Sequence, residues 1–130
     1  MIVVLDTNIW ISALFFGGRP EQALIRAFEE ADVAICRQIV EEITDVAVRK
    51  FAQQFAAVES RLDQLLVAVT FVEVKGVLRI CRDPDDNIIL ECARNAGAHI
   101  IVTGDQDLLQ LREFEGTSII NADEYLGLHN

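Results

Sequence analysis

Histidine and cysteine are scarce in this chain. Cys36, Cys81 and Cys92 form no C-x-x-C pair, and His99 and His129 stand apart from one another. Zinc needs such ligands in close pairs, so a zinc site is set aside. An odd cysteine count without framework spacing also argues against a disulfide-stapled secreted module. It fits small buried residues in a reducing cytosol. Positive charge is short too: 11 Lys and Arg stand against 21 Asp and Glu, a net charge of −10. A protein whose main task is to coat nucleic acid carries the opposite sign. A nuclease is not excluded, because part of that negative charge would sit in a metal site and be offset by the cation. Arg19, Arg37, Arg49, Lys50, Arg79 and Arg82 remain to guide a phosphate backbone, although for any one of them a solvated surface charge is the simpler reading.

Long apolar runs are missing as well. No stretch approaches the ~20 residues that a membrane span needs, so the mean hydropathy of +0.28 reflects a packed core. The start has no basic region and its apolar run breaks at Asp6, so no secretory signal is expected. There is no G-x-G-x-x-G for a dinucleotide. A phosphoacceptor receiver domain wants a lysine beside its pocket, and Lys50 and Lys75 do not follow a late strand.

What is present is a single-domain length of 130 residues, 52% hydrophobic. Such a chain buries roughly two thirds of its unfolded surface without staples. Short β-branched runs predict strands at 2–5, 33–36, 71–74, 99–102 and 118–120. Helices are expected at 8–16 and from Pro20 to about 31, then at 38–50 and 54–68. A further helix opens on Asp83 as cap with Pro84 at its first position and stops at Gly97. Short helices at 107–111 and 123–126 complete the chain. Strands alternating with helices and lacking tight hairpins imply an α/β fold with a parallel sheet covered on both faces. Right-handed crossovers would align the carboxyl ends of the strands along one edge.

Acidic residues fall at those ends. Asp6 follows Ile2-Val3-Val4-Leu5, and Asp105 follows Ile100-Ile101-Val102-Thr103-Gly104. Asp86 closes Asp83-Pro84-Asp85-Asp86 and heads the face carrying Ile89, Leu90 and Ala93, whereas Asp85 is expected to face water. Strand ends are where open α/β sheets place ligands. Carboxylates forced together repel unless protonated or neutralised by a cation, and hard oxygen donors suit Mg²⁺ or Mn²⁺. Each acid also has a simpler reading. Asp6 and Asp105 could merely cap the helices that follow, and acids in a first helical turn are favoured by the helix dipole. Asp107 is the weaker ligand candidate. Glu42, beside Ile43 on a helix, reads by periodicity alone as solvated, as does Glu41. Taken together the acids point to metal-dependent hydrolysis of a phosphate ester, with the Thr103 hydroxyl available to orient a carboxylate or a water.

In order and spacing these residues resemble the PIN-domain family. Asp6-Thr7-Asn8 is similar to its opening D-T-N, Glu42 before Ile43 to its helical acid, and Asp86 with Ala93 to its third acid. Val102-Thr103-Gly104-Asp105-Gln106-Asp107-Leu108-Leu109 is similar to its closing segment. The resemblance implies one domain over 1–130, with a five-stranded parallel sheet and helices on both faces. It implies cleavage of single-stranded RNA with Mg²⁺ or Mn²⁺. Asp6, Glu42, Asp86 and Asp105 would be catalytic and metal-binding, joined at the metal by Asp107, with Thr7, Asn8 and Thr103 behind them. Many small stand-alone members are toxins of toxin–antitoxin pairs, so the resemblance implies a cognate antitoxin, a homodimer and a cytoplasmic location. The rival expectation is a catalytically idle module that keeps the acidic pocket and only binds partners.

Overall fold

A buried, continuous and β-branched segment forms the centre of the sheet. β1 (Ile2–Leu5) lies between β2 (Asp32–Ile35) and β4 (Ile100–Val102), parallel to both. The computed structural model describes residues 1–128, and His129, counted above in setting zinc aside, lies outside the described residues. The remaining strands are β3 (Thr70–Phe71), β5 (Glu113–Phe114) and β6 (Thr117–Ile120), giving the order β3-β2-β1-β4-β6-β5. The helices are α1 (Thr7–Phe15), α2 (Gly18–Glu30), α3 (Arg37–Lys50), α4 (Phe55–Leu66), α5 (Pro84–Ala96), α6 (Gln106–Leu111) and α7 (Ala122–Gly127). The chain leaves β1 toward β2 and returns past it to β4. Right-handed crossovers then place the two sets of helices on opposite faces of the sheet. The order reverses at β1 and β4, which opens a crevice beyond their carboxyl ends.

Three elements depart from the expectations. α2 begins at Gly18, two residues before Pro20, because Gly17 and Gly18 both take positive φ and turn the chain directly out of α1. β3 is two residues long where 71–74 was expected. Val72 N–H still donates to Ile35 O at 2.9 Å, but the backbone beyond it is claimed by side chains of α3 and α5. The sheet has six strands, and a tight hairpin joins β5 to β6 in antiparallel register. Its turn sits on Glu115 (φ 48) and Gly116 (φ 86), the doubly positive geometry that favours such hairpins. The signal was weak because only one turn residue is glycine.

Trp10, Leu24, Ile35, Ile43, Leu90, Ile101 and Leu108 fill the core, with Trp10 edge-on to Phe28 at 5.8 Å. The three cysteines are free thiols, Cys36 and Cys92 buried. α5 is delimited as its sequence predicts. Asp83 accepts a hydrogen bond from Asp85 N–H at 2.9 Å, Pro84 opens the helix, and Gly97 closes it at φ 66. A Cβ on Gly97 would meet nothing within 4 Å, so only backbone strain opposes it. Gly97→Ala should therefore cost about 1 kcal/mol in chemical denaturation. A loss above about 3 kcal/mol would show that Gly97 has a packing role.

Candidate metal centre

Asp6 leaves β1 as a continuation of the strand. Its N–H donates to Val102 O at 2.9 Å, so the backbone is still stitched to β4. It stands at the cap position of α1 but makes no side-chain capping bond. Its Oδ2 instead accepts from the Thr103 hydroxyl at 2.6 Å. The same hydroxyl accepts from Asp105 N–H at 3.0 Å, so Thr103 ties together the ends of the two central strands. Burial raises the Asp6 pKa above its ordinary 3.8 and Asp105 adds to this, while Thr103 and the nearby N–H groups of Thr7 and Asn8 oppose it. Asp105 does both things that its sequence allowed. It caps α6, accepting from Leu108 N–H at 3.1 Å, and it faces the acids of α5.

Asp86 lies on the inward side of the first turn of α5 and is 6% exposed. Its Oδ2 has no hydrogen-bond partner among the described residues. Burial, with the fields of Asp105, Asp83, Asp6 and Asp107, raises its pKa to about 7. Oxygens of Asp86, Asp105 and Asp107 lie within 4.8 Å of one another. Asp107 is also held by Arg82, whose Nη2 donates to both of its oxygens at 3.0 and 3.2 Å. That contact is mostly exposed and is worth about 0–1 kcal/mol, so it is readily exchanged.

Glu42 belongs to a neighbouring hollow. It is half-buried on α3, contrary to the solvated reading, and its carboxyl pairs with that of Asp85. Burial, the side-chain contact with Asp85 and the fields of Asp85 and Asp6 push its pKa to about 7. Asp85 is exposed as expected, but it does not simply face water, since Glu42 lies against it. The buried Thr7 Oγ1 sits near Glu42 without a hydrogen bond of full geometry. Asn8 is exposed and its side chain makes no hydrogen bond among the described residues.

The structure thus brings Asp86, Asp105 and Asp107 into one triad and sets Asp6 behind it, bridged to Asp105 through Thr103. It places Glu42 beside the group rather than in it, within reach of the Asp6 field. A divalent cation fits this donor set. The triad offers hard carboxylate oxygens, and Asp86 carries a buried oxygen with no partner among the described residues, an expensive condition that a cation relieves. Sequence reasoning passed over two further polar residues of α5. Glu91 is 1% exposed and accepts from the N–H groups of Lys75, Gly76, Val77 and Leu78 at 2.9–3.4 Å. Burial pushes its pKa up, but those four donors outweigh burial and hold it below the ordinary 4.5. Asn87 accepts from Ile80 and Cys81 N–H at 2.9 and 2.7 Å. Their only sequence signal was a spacing of four, which stacks them beside the apolar stripe of α5.

A sequence profile of the PIN domain matches residues 2–107. An uncharacterized protein of Methanocaldococcus jannaschii is 36% identical over 117 residues, covering 85% of this chain and 75% of that protein. Among solved structures, a chain of VapBC2 from Rickettsia felis, bound to a DNA fragment from its promoter, superposes with a TM-score of 0.67. It is 18% identical, and the alignment covers 93% of this chain and 98% of that one, which shows a shared fold.

Proposed function

This chain belongs to the PIN-domain family, and from that premise we propose that it is a metal-dependent endoribonuclease acting on single-stranded RNA, the toxin of a toxin–antitoxin pair. The observation that carries the reading is Asp86, buried with an Oδ2 that has no partner among the described residues, clustered with Asp105 beyond the end of β4 and Asp107 in the first turn of α6. Asp86, Asp105 and Asp107 would hold Mg²⁺ or Mn²⁺. When bound, such an ion supplies charge neutralisation for the phosphate and lowers the pKa of a coordinated water.

The chain's own residues supply the rest. Thr103 fixes the Asp6 carboxylate and the Asp105 backbone in one arrangement, so neither acid must be ordered when substrate arrives. Glu42, with a pKa of about 7, both holds and releases a proton near neutrality, the property of a group that relays the proton of an attacking water. Thr7 borders Glu42 and would steady it, while Asn8 faces solvent at the mouth of the crevice. The fold shared with a VapBC2 chain supports a partner of the antitoxin kind. The protein would act in the cytoplasm, as a homodimer. No described helix is long and apolar enough to cross a membrane.

One observation favours the idle binding module instead: Arg82 holds Asp107, a member of the triad. A single assay separates the two readings. Mixed-sequence RNA oligomers incubated with Mn²⁺ should be cleaved by the native protein, with loss of at least ~100-fold in Asp6→Asn at unchanged circular dichroism. Cleavage by Asp6→Asn at the native rate would remove Asp6 from the machinery. Calorimetric Mn²⁺ binding without turnover on any RNA would leave the module.

A further inference from the structure

Residues 72–82, between β3 and α5, form no helix or strand, yet their backbone is held at almost every step. Gln38 Nε2 donates to Val74 O at 2.6 Å and Asn95 Nδ2 to Glu73 O at 2.9 Å. Glu91 collects the next four N–H groups from below, and Asn87 takes those of Ile80 and Cys81 while donating to Cys81 O at 3.3 Å. Seven of its N–H groups are fixed inward, and Val74 is buried in the core, so the exposed side chains between these anchors follow a fixed path. Three of the 11 basic residues of the chain lie on it: Lys75, Arg79 and Arg82. All three are exposed.

The strap walls a cleft of about 430 Å³ against the first turns of α5. Small-ligand sites begin at about 300 Å³. The lining divides by chemistry: Arg79 and Arg82 supply charge, while Leu78, Pro84 and Ile88 supply apolar surface. Both guanidiniums are partly anchored and partly unspent. Arg79 gives Nη1 to Gly76 O and Leu78 O at 2.7 and 2.8 Å, and Arg82 gives Nη2 to Asp107. Among the described residues the other nitrogens of each meet no protein acceptor, so each keeps donors for a phosphate. Arg19, Arg37, Arg49 and Arg61 are instead answered by Asp123, Glu41, Asp45 and Glu21. On a surface of net charge −10, this is where a phosphate meets two preset arginines. Asp85 also lines the cleft, but its carboxyl is engaged with Glu42 of the neighbouring hollow. The cleft adjoins the triad, since Arg82 touches both.

We infer that the cleft between the strap and α5 seats one nucleotide of the RNA strand flanking the scissile bond, its phosphate on Arg79 and Arg82 and its base against Leu78, Pro84 and Ile88. The inference rests on the nuclease reading for its class of ligand and for the phosphate being a flanking one. Glu91 is then a positioning residue, because it sets the path of the strap from which both arginines reach.

The test is binding of a labelled single-stranded RNA 12-mer by fluorescence anisotropy, in EDTA, across a salt series. Arg79→Gln with Arg82→Gln should weaken binding 10–100-fold and lower the salt slope by about 1 for each arginine. Arg19→Gln with Arg49→Gln, which removes equal charge elsewhere, should change the affinity less than threefold. With Mn²⁺ the strap variant should show its loss in KM. If the native protein cleaves RNA while the strap variant keeps native affinity, salt slope and KM, the cleft has no such role and the nuclease reading stands. If neither variant set differs from the other, the effect is bulk charge and the inference falls. If RNA is bound through the strap but never cleaved, the inference holds as a binding site and the enzymatic reading falls. If the native protein neither binds nor cleaves RNA, both fall.

Discussion

Asp86→Asn should make the metal-free protein more stable at pH 8 while abolishing cleavage. The folded protein holds this carboxyl at about 7, against the ordinary 3.8 that applies when the chain unfolds. Below about pH 4 both states are protonated and the group is neutral in its effect. As pH rises toward 7 the unfolded chain ionises first, so stability falls. Above about 7 the full penalty is present and constant. The gap is worth up to about 4 kcal/mol, and roughly half of that is a sober expectation given water at the crevice. Asparagine removes the charge and gives the site a donor for the neighbouring acids. The melting midpoint at pH 8 should rise by about 5–10 °C and lose most of its dependence on pH between 5 and 8. Glu42, also at about 7, has the same sign and should leave a residual slope. In the native protein Mn²⁺ should recover the lost stability in proportion to its occupancy, and in the variant it should recover much less. A variant that melts lower than the native protein at pH 8, or a native midpoint that is flat in pH, would show that the acids are solvated and that no cation is needed to reconcile them.

Glu91→Ala carries the other large effect, in the opposite direction. Four backbone N–H groups would lose a charged acceptor inside the fold. Each orphaned buried donor costs ~1–3 kcal/mol, and partial escape of the strap to water limits the total to about 3–5 kcal/mol. Against a typical stability of 5–15 kcal/mol that is a large fraction. The Glu91 pKa is held down, so its contribution is complete above the ordinary 4.5 and is lost as pH falls through the lower, folded value. The gap between variant and native protein should accordingly narrow below about pH 4. Glu91→Gln, which keeps an acceptor oxygen, should lose roughly half as much. Hydrogen exchange locates the damage: the amides of Lys75 to Leu78 should exchange far faster in the alanine variant, while those of β1 and β4 follow only the global loss. Native protection at those four amides would remove Glu91 as the anchor of the strap.

How legible this protein was in its sequence depends on the range of the interactions involved. The strand at 2–5, the Asp83-Pro84 opening and Gly97 ending of α5, and the positions of Asp6 and Asp105 at strand ends all rest on neighbours a few residues away. Hydrophobic periodicity and capping chemistry report such contacts directly. Thr103 is legible because its hydroxyl ends a buried strand just ahead of two acids, where it can orient a carboxylate, and it holds Asp6 across 97 residues of chain. The hairpin at 113–117 was lost because only one of its turn residues is glycine. Residues 73–74 read as strand because they close a short β-branched run, but Gln38 and Asn95 take the carbonyls that a longer strand would have offered.

By itself the sequence determined the α/β class, the elements that deliver each acid, and the excess of negative charge that some cation must answer. Only the folded arrangement decided which acids meet. Sheet order sets β1 beside β4 and so joins Asp6 to Asp105 through Thr103, while packing lays α5 over β1 and β2 and turns Glu42 to Asp85 rather than into the triad. The same packing made Glu91 an anchor instead of a surface charge. The physical reason is that a local pattern encodes how deeply a side chain is buried, whereas the partner of a buried polar group is whatever distant segment the topology carries past it.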